Sequence, residues 1–118
     1  MNAFALGAFT AALAVILGAF GAHALGGSGA VRLAWWATAT QYLFVAAFGL
    51  MLFGLYHRTR YTLASPATAL LLGEVLFSGS LYVMSLGGPR WLGAITPVGG
   101  LALITGFLWI GLVALRSV

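Results

Sequence analysis

The chain has 118 residues, of which 63% are hydrophobic and 5% charged, against about 25% charged in an ordinary soluble domain. No water-soluble fold of this size hides so much apolar side chain, so the sequence reads as one domain, residues 1–118, embedded in lipid. Cysteine is absent, which excludes disulfides and thiolate metal sites, and the net charge of +4 comes from five arginines against a single acid, Glu74. Arg32, Arg58, Arg60, Arg90 and Arg116 stand beside apolar runs, as membrane-flanking charges do and as a nucleic-acid surface does not.

The first apolar run, 3–25, is long enough to span a bilayer and ends in Gly26-Gly27-Ser28-Gly29, where glycine accepts the left-handed cap conformation. It lacks a basic leader segment and precedes three similar runs, so it reads as a retained helix and not as a cleaved signal peptide. Gly7, Ala11, Ala14, Gly18 and Ala22 recur on it at spacings of three or four, a seam where a second backbone can approach. His23 falls at its outer end as a candidate interfacial side chain. No second metal ligand stands near it in sequence, so the histidine reads as structural and no metal is expected.

The second run, 34–56, ends in His57-Arg58-Thr59-Arg60, and the third, 66–86, opens with Ser65 as N-cap and Pro66 at the first helical position. Glu74 lies about eight residues into the third run, near mid-membrane, and must be protonated, paired or facing water. It reads either as a proton or cation relay or as a carboxylic acid hydrogen-bonded to a neighbouring helix. At 1.5 Å per residue, Glu74 is about 18 Å from the outer boundary, level with Leu13, Ala46 and Trp109. Gln41, Ser78, Ser80 and Thr105 come out at a shallower common depth and form a candidate polar layer, with Gly18 and Gly79 beside them. Tyr82 is the third helix's candidate near the outer interface.

The fourth run, 97–115, repeats the start signal at Thr96-Pro97. Four spans joined by loops of under about ten residues predict an all-α integral membrane protein, a compact antiparallel four-helix bundle. The side holding both termini and the central loop carries Arg58, Arg60 and Arg116, against Arg32 and Arg90 on the other, which favours cytoplasmic termini. Trp35, Trp36 and Trp91 then fall on the outer aromatic belt, with Tyr56, Tyr61 and Trp109 on the inner side. A shift of 61 positions superposes Gly18, Leu25, Gly26 and Gly27 on Gly79, Leu86, Gly87 and Gly88, as a duplicated hairpin would. Packing is assigned to Gly18, Ala22 and Gly79.

Three ordered strings, Gly18-Ala19-Phe20-Gly21-Ala22-His23, Leu76-Phe77-Ser78-Gly79-Ser80-Leu81-Tyr82 and Thr96-Pro97-Val98-Gly99-Gly100, resemble the family of unknown function numbered 423, itself similar to a small vertebrate transmembrane protein numbered 256. The resemblance covers nearly the whole chain. It implies a four-helix protein of the bacterial inner membrane and supplies no activity. The family pattern places a histidine four residues after the tyrosine of helix two, where this chain has Ala46, and an uncharged residue where it has Glu74. The buried polar group thus shifts from helix two to helix three. With no nucleophile–base pair, phosphate loop or cofactor motif, the expectation is a non-enzyme without cofactor, a structural or assembly component of the membrane. Its partners are then the lipid bilayer and a homo-oligomer or larger membrane complex, and not nucleic acid. The alternative is an oligomeric small-solute, proton or cation conduit using Glu74.

Overall fold

A computed structural model describes residues 2–25, 27, 29–57 and 65–116. Gly26, Ser28, Arg58, Thr59, Arg60 and Tyr61, which carry parts of the helix-stop, charge and belt readings, lie outside the described residues. Four helices run in sequence: α1 Ala3–Ala24, α2 Ala30–Tyr56, α3 Pro66–Ser85 and α4 Thr96–Arg116, with a short 3-10 helix, Arg90–Ala94, leading into α4. Each of the four is long and apolar enough to cross a membrane, since even the 20 residues of α3 reach about 30 Å.

The helix ends follow local chemistry. Asn2 caps α1, its side chain accepting the Ala5 N–H at 2.8 Å. α2 starts at Ala30, four residues before the predicted 34, because Gly29 adopts φ +97° and turns the chain directly into the helix. Ser65 occupies the cap position of α3 ahead of Pro66, yet its hydroxyl makes no capping bond. α3 ends in a Schellman turn: Gly87, at φ +99°, donates to the Met84 carbonyl at 3.1 Å and Gly88 to the Val83 carbonyl at 2.9 Å. The Arg32 guanidinium lies beside Gly87, a cation where the negative end of the α3 dipole emerges.

Partner numbers rise on one helix as they fall on the next, which fixes the antiparallel registers. On the first hairpin the backbone of α1 at Gly7 meets Ala47 and Met51 of α2, Gly54 meets Phe4, and Gly21 meets the Trp36 ring. On the second, Gly99 of α4 sits against the backbone of Leu76 and Phe77, Gly73 against Leu103, and Gly106 against Leu70. These are close-approach glycines of the kind that membrane helices use for packing. The seam expected on α1 is therefore displaced. Its buried positions are Ala3, Gly7, Ala14 and Gly21, while Gly18 sits half-buried at the rim and Ala22 is exposed.

Helices pack in series, α1 on α2, α2 on α3 and α3 on α4, with a light contact between α2 and α4 and none of any extent between α1 and α4. The central pair is accordingly the buried one. α2 buries nine residues and α3 ten, whereas α1 buries four and α4 three. The core runs through Ala3, Ala46, Leu50, Phe53, Ala67, Leu70 and Leu103. The hairpin echo is present at the caps: α1 ends before Leu25 and α3 before Leu86, with nearly the same backbone angles. It is absent from the packing, since the two flanking helices never close the ring that a twofold repeat would require.

Candidate functional site

α3, one of the two central helices, carries most of the interior polar groups: Glu74, Ser78, Ser80 and Ser85, beside Thr40 of α2. Ser78 donates to the Ala39 carbonyl of α2 at 2.7 Å. The Tyr82 hydroxyl lies 2.7 Å from that of Thr40. Thr40 gives its own single proton to the Trp36 carbonyl at 3.0 Å, so Tyr82 is the donor of that pair. Trp36 in turn donates its indole N–H to the Leu17 carbonyl of α1 at 2.7 Å and lies edge-on to Tyr82, ring centroids 4.4 Å apart. One connected set of polar contacts thus ties α1, α2 and α3 together. Ser80 links α3 to the start of α4 through the Thr96 hydroxyl, and Ser85 folds back on the Leu81 carbonyl.

Glu74 is only 7% exposed, and its Oε2 is buried without a hydrogen-bond partner among the described residues. It faces a cleft of about 250 Å³ between α1 and α3, with Leu43 of α2 also on its wall. Thr10, on α1, is the polar side chain beside the carboxyl. The neighbour in helix two near Ala46 that depth alone suggests is not there; Ala46 is fully buried in the apolar core with Leu50 and Leu70.

The proposed polar layer separates into two sets. Ser78 and Ser80 are buried and bonded as above, but Gln41 and Thr105 point outward and are exposed. Depth was legible and rotation was not, because apolar side chains lie on every side of α2 and α4 and leave little hydrophobic phase to read. The interior partners are instead Thr40, one residue from Gln41, together with Thr10 and Thr96. The depth count that sets Glu74 level with Leu13 places Thr10 within a turn of it, so that partner was reachable. Gly79 touches no other helix of this chain, since an added Cβ there meets nothing within 4 Å among the described residues. Trp36 leaves the outer belt for the interior at 5% exposure, whereas Trp91 stays outside at 66%. His23 is exposed in the last turn of α1, and Tyr82, paired with Thr40, is half-buried and inside.

Hydroxyls that satisfy backbone carbonyls and one another hold helices together in lipid. Four apolar spans tied by such contacts define a multi-pass membrane protein. The profile of the family described as Protein of unknown function (DUF423) matches residues 17–100, and the chain belongs to that family. It is 43% identical to the UPF0382 membrane protein YwdK of Bacillus subtilis, covering 94% of each chain. It is 42% identical to the UPF0382 membrane protein SERP0230 of Staphylococcus epidermidis over 94% of this chain and 93% of the relative. The UPF0382 inner membrane protein YgdD of Escherichia coli K12 is 39% identical over 79% of this chain and 73% of its own. No solved structure matches significantly.

Proposed function

We propose that this chain is a non-catalytic assembly component of the bacterial inner membrane, acting through lateral contact between its helices and a second copy, with both termini in the cytoplasm. One observation carries the reading. On α2, Ala34, Thr38, Gln41, Val45, Phe48 and Leu52 recur at alternating spacings of four and three on the face turned away from the core, all exposed except the half-buried Thr38. That is the spacing of a helix–helix seam. Gln41, near its middle, makes no hydrogen bond among the described residues. An amide facing hydrocarbon alone is costly, and a carboxamide both donates and accepts, so two Gln41 side chains meeting across a twofold satisfy each other. The inner-membrane name of the Escherichia coli relative supports the location, and the arginine distribution supports the orientation.

Because the chain has no cysteine, Gln41→Cys introduces a single thiol. Oxidation in native membranes is expected to give a disulfide dimer from Gln41→Cys and none from Val15→Cys, on the exposed face of α1. Monomer from both sinks the α2 seam. A crosslink to a different protein replaces the second copy as partner. A second reading, a small-solute, proton or cation conduit, draws on the unpartnered Glu74 oxygen; flux in reconstituted vesicles that Glu74→Gln lacks is its test.

A further inference from the structure

α2 and α4 are both antiparallel to α3, so they run parallel to each other, and they meet only lightly. The Phe107 ring closes that contact, lying where a side chain on Gly49 would be. On the outer side of this point the two helices leave a groove, lined by Tyr42 and Val45 of α2, Phe77 of α3 and Gly100, Ile104 and Phe107 of α4. Its volume of about 470 Å³ falls within the roughly 300–1,000 Å³ of small-molecule sites. Tyr42 stands one residue, a turn of about 100°, on from Gln41, so the groove lies beside the α2 seam and exists without a second copy.

Tyr42 is the one polar side chain on the groove's wall among the described residues. Its ring is held edge-on to Phe77, centroids 4.8 Å apart, and its hydroxyl makes no hydrogen bond among the described residues. Phe77 lies eight residues in from the outer end of α3 at Ser85, about 12 Å into the hydrocarbon. No water is there to take the phenolic proton, and a donor left unspent in lipid is costly. The ester carbonyls of phospholipids stay at the hydrocarbon boundary, so the acceptor that meets Tyr42 is one that dissolves in the bilayer itself. We infer that the groove is a binding site for a lipid-soluble quinone, one carbonyl accepting from the Tyr42 hydroxyl and the ring lying against Phe77 and Phe107. A quinone suits these walls better than other bilayer solutes. An acyl chain offers no acceptor, and an alcohol brings a second proton that the apolar groove cannot place. The flat ring of a quinone packs on aromatic side chains and carries acceptors only.

The chain has four tyrosines, so protein labelled with tyrosine carrying ¹³C at Cζ gives four resonances, and Tyr42→Phe identifies the one that matters. Menadione, which finds no cysteine here to arylate, is titrated into the labelled protein in detergent. It is expected to shift the Tyr42 resonance saturably and to leave Tyr82, whose hydroxyl is bonded to Thr40, unmoved. 2-Methylnaphthalene, the same skeleton without carbonyls, is expected to bind about fivefold more weakly, the worth of one hydrogen bond. Ile104→Trp, which fills the groove from an exposed position, is expected to abolish the shift, and Gly100→Leu serves if the first variant melts early. A uniform drift of all four resonances, equal affinity for 2-methylnaphthalene, or an undiminished shift in a folded groove-filled variant each overturns the site.

Discussion

Gly21 matters because the Trp36 indole lies where a side chain on residue 21 would be. The ring reaches across that gap to the Leu17 carbonyl, and a methyl group there must push it away. Gly21→Ala is expected to cost about 1–3 kcal/mol, read as a lower melting temperature in detergent, whereas Gly18→Ala, whose added Cβ meets only the Thr40 methyl at 3.5 Å, leaves it within error. Equal losses from the two would place Trp36 elsewhere. Glu74→Gln is expected to change stability by no more than about 0.6 kcal/mol, the scale of one interhelical polar contact in lipid, and Glu74→Leu to be neutral or stabilising because it removes an acceptor that the protein leaves unmet. A large loss from the Gln variant would mean that the carboxyl has an ionic partner. Legibility at this scale followed isolation. A lone acid and serines on the third helix stand out and are buried, while Gln41 and its neighbour Thr40 differ only by a 100° turn on a helix with apolar side chains all round.

Helix ends were more readable than helix faces, because ends are written in residues with distinct backbone preferences. Pro66 and Pro97 mark the starts of α3 and α4, and Gly87 the stop of α3, from chemistry local to a few residues. The early start of α2 was missed because Arg32 and the tryptophans read as boundary residues, although a helix projects beyond the hydrocarbon at no cost once Gly29 permits the turn. The Schellman turn makes a sharp test. Gly87→Ala puts a Cβ into a left-handed conformation that costs about 1–2 kcal/mol and sets it near the Arg32 guanidinium. Gly27→Ala, with open space around the added atom, is expected to be neutral. Thermal unfolding of the two variants side by side distinguishes a conformational requirement at residue 87 from a general tolerance of the outer loops.

Short loops guaranteed that sequence neighbours are antiparallel neighbours, and the four spans were legible from composition alone. Whether α1 and α4 close a ring was not, because ring closure depends on which faces pair, and those faces are apolar throughout. Orientation is open to direct measurement. Single cysteines at Ser28 and Arg90 are expected to react with a membrane-impermeant thiol reagent added from outside intact cells, and labelling only after membrane disruption would place both termini outside. The serial arrangement also bears on how the protein is made. With extensive packing only between neighbours in the chain, the α1–α2 hairpin is complete before α4 has been synthesised, and each later helix docks onto a finished surface. Biogenesis then proceeds as successive local additions of low contact order, with no early helix held open in the bilayer waiting for a distant partner.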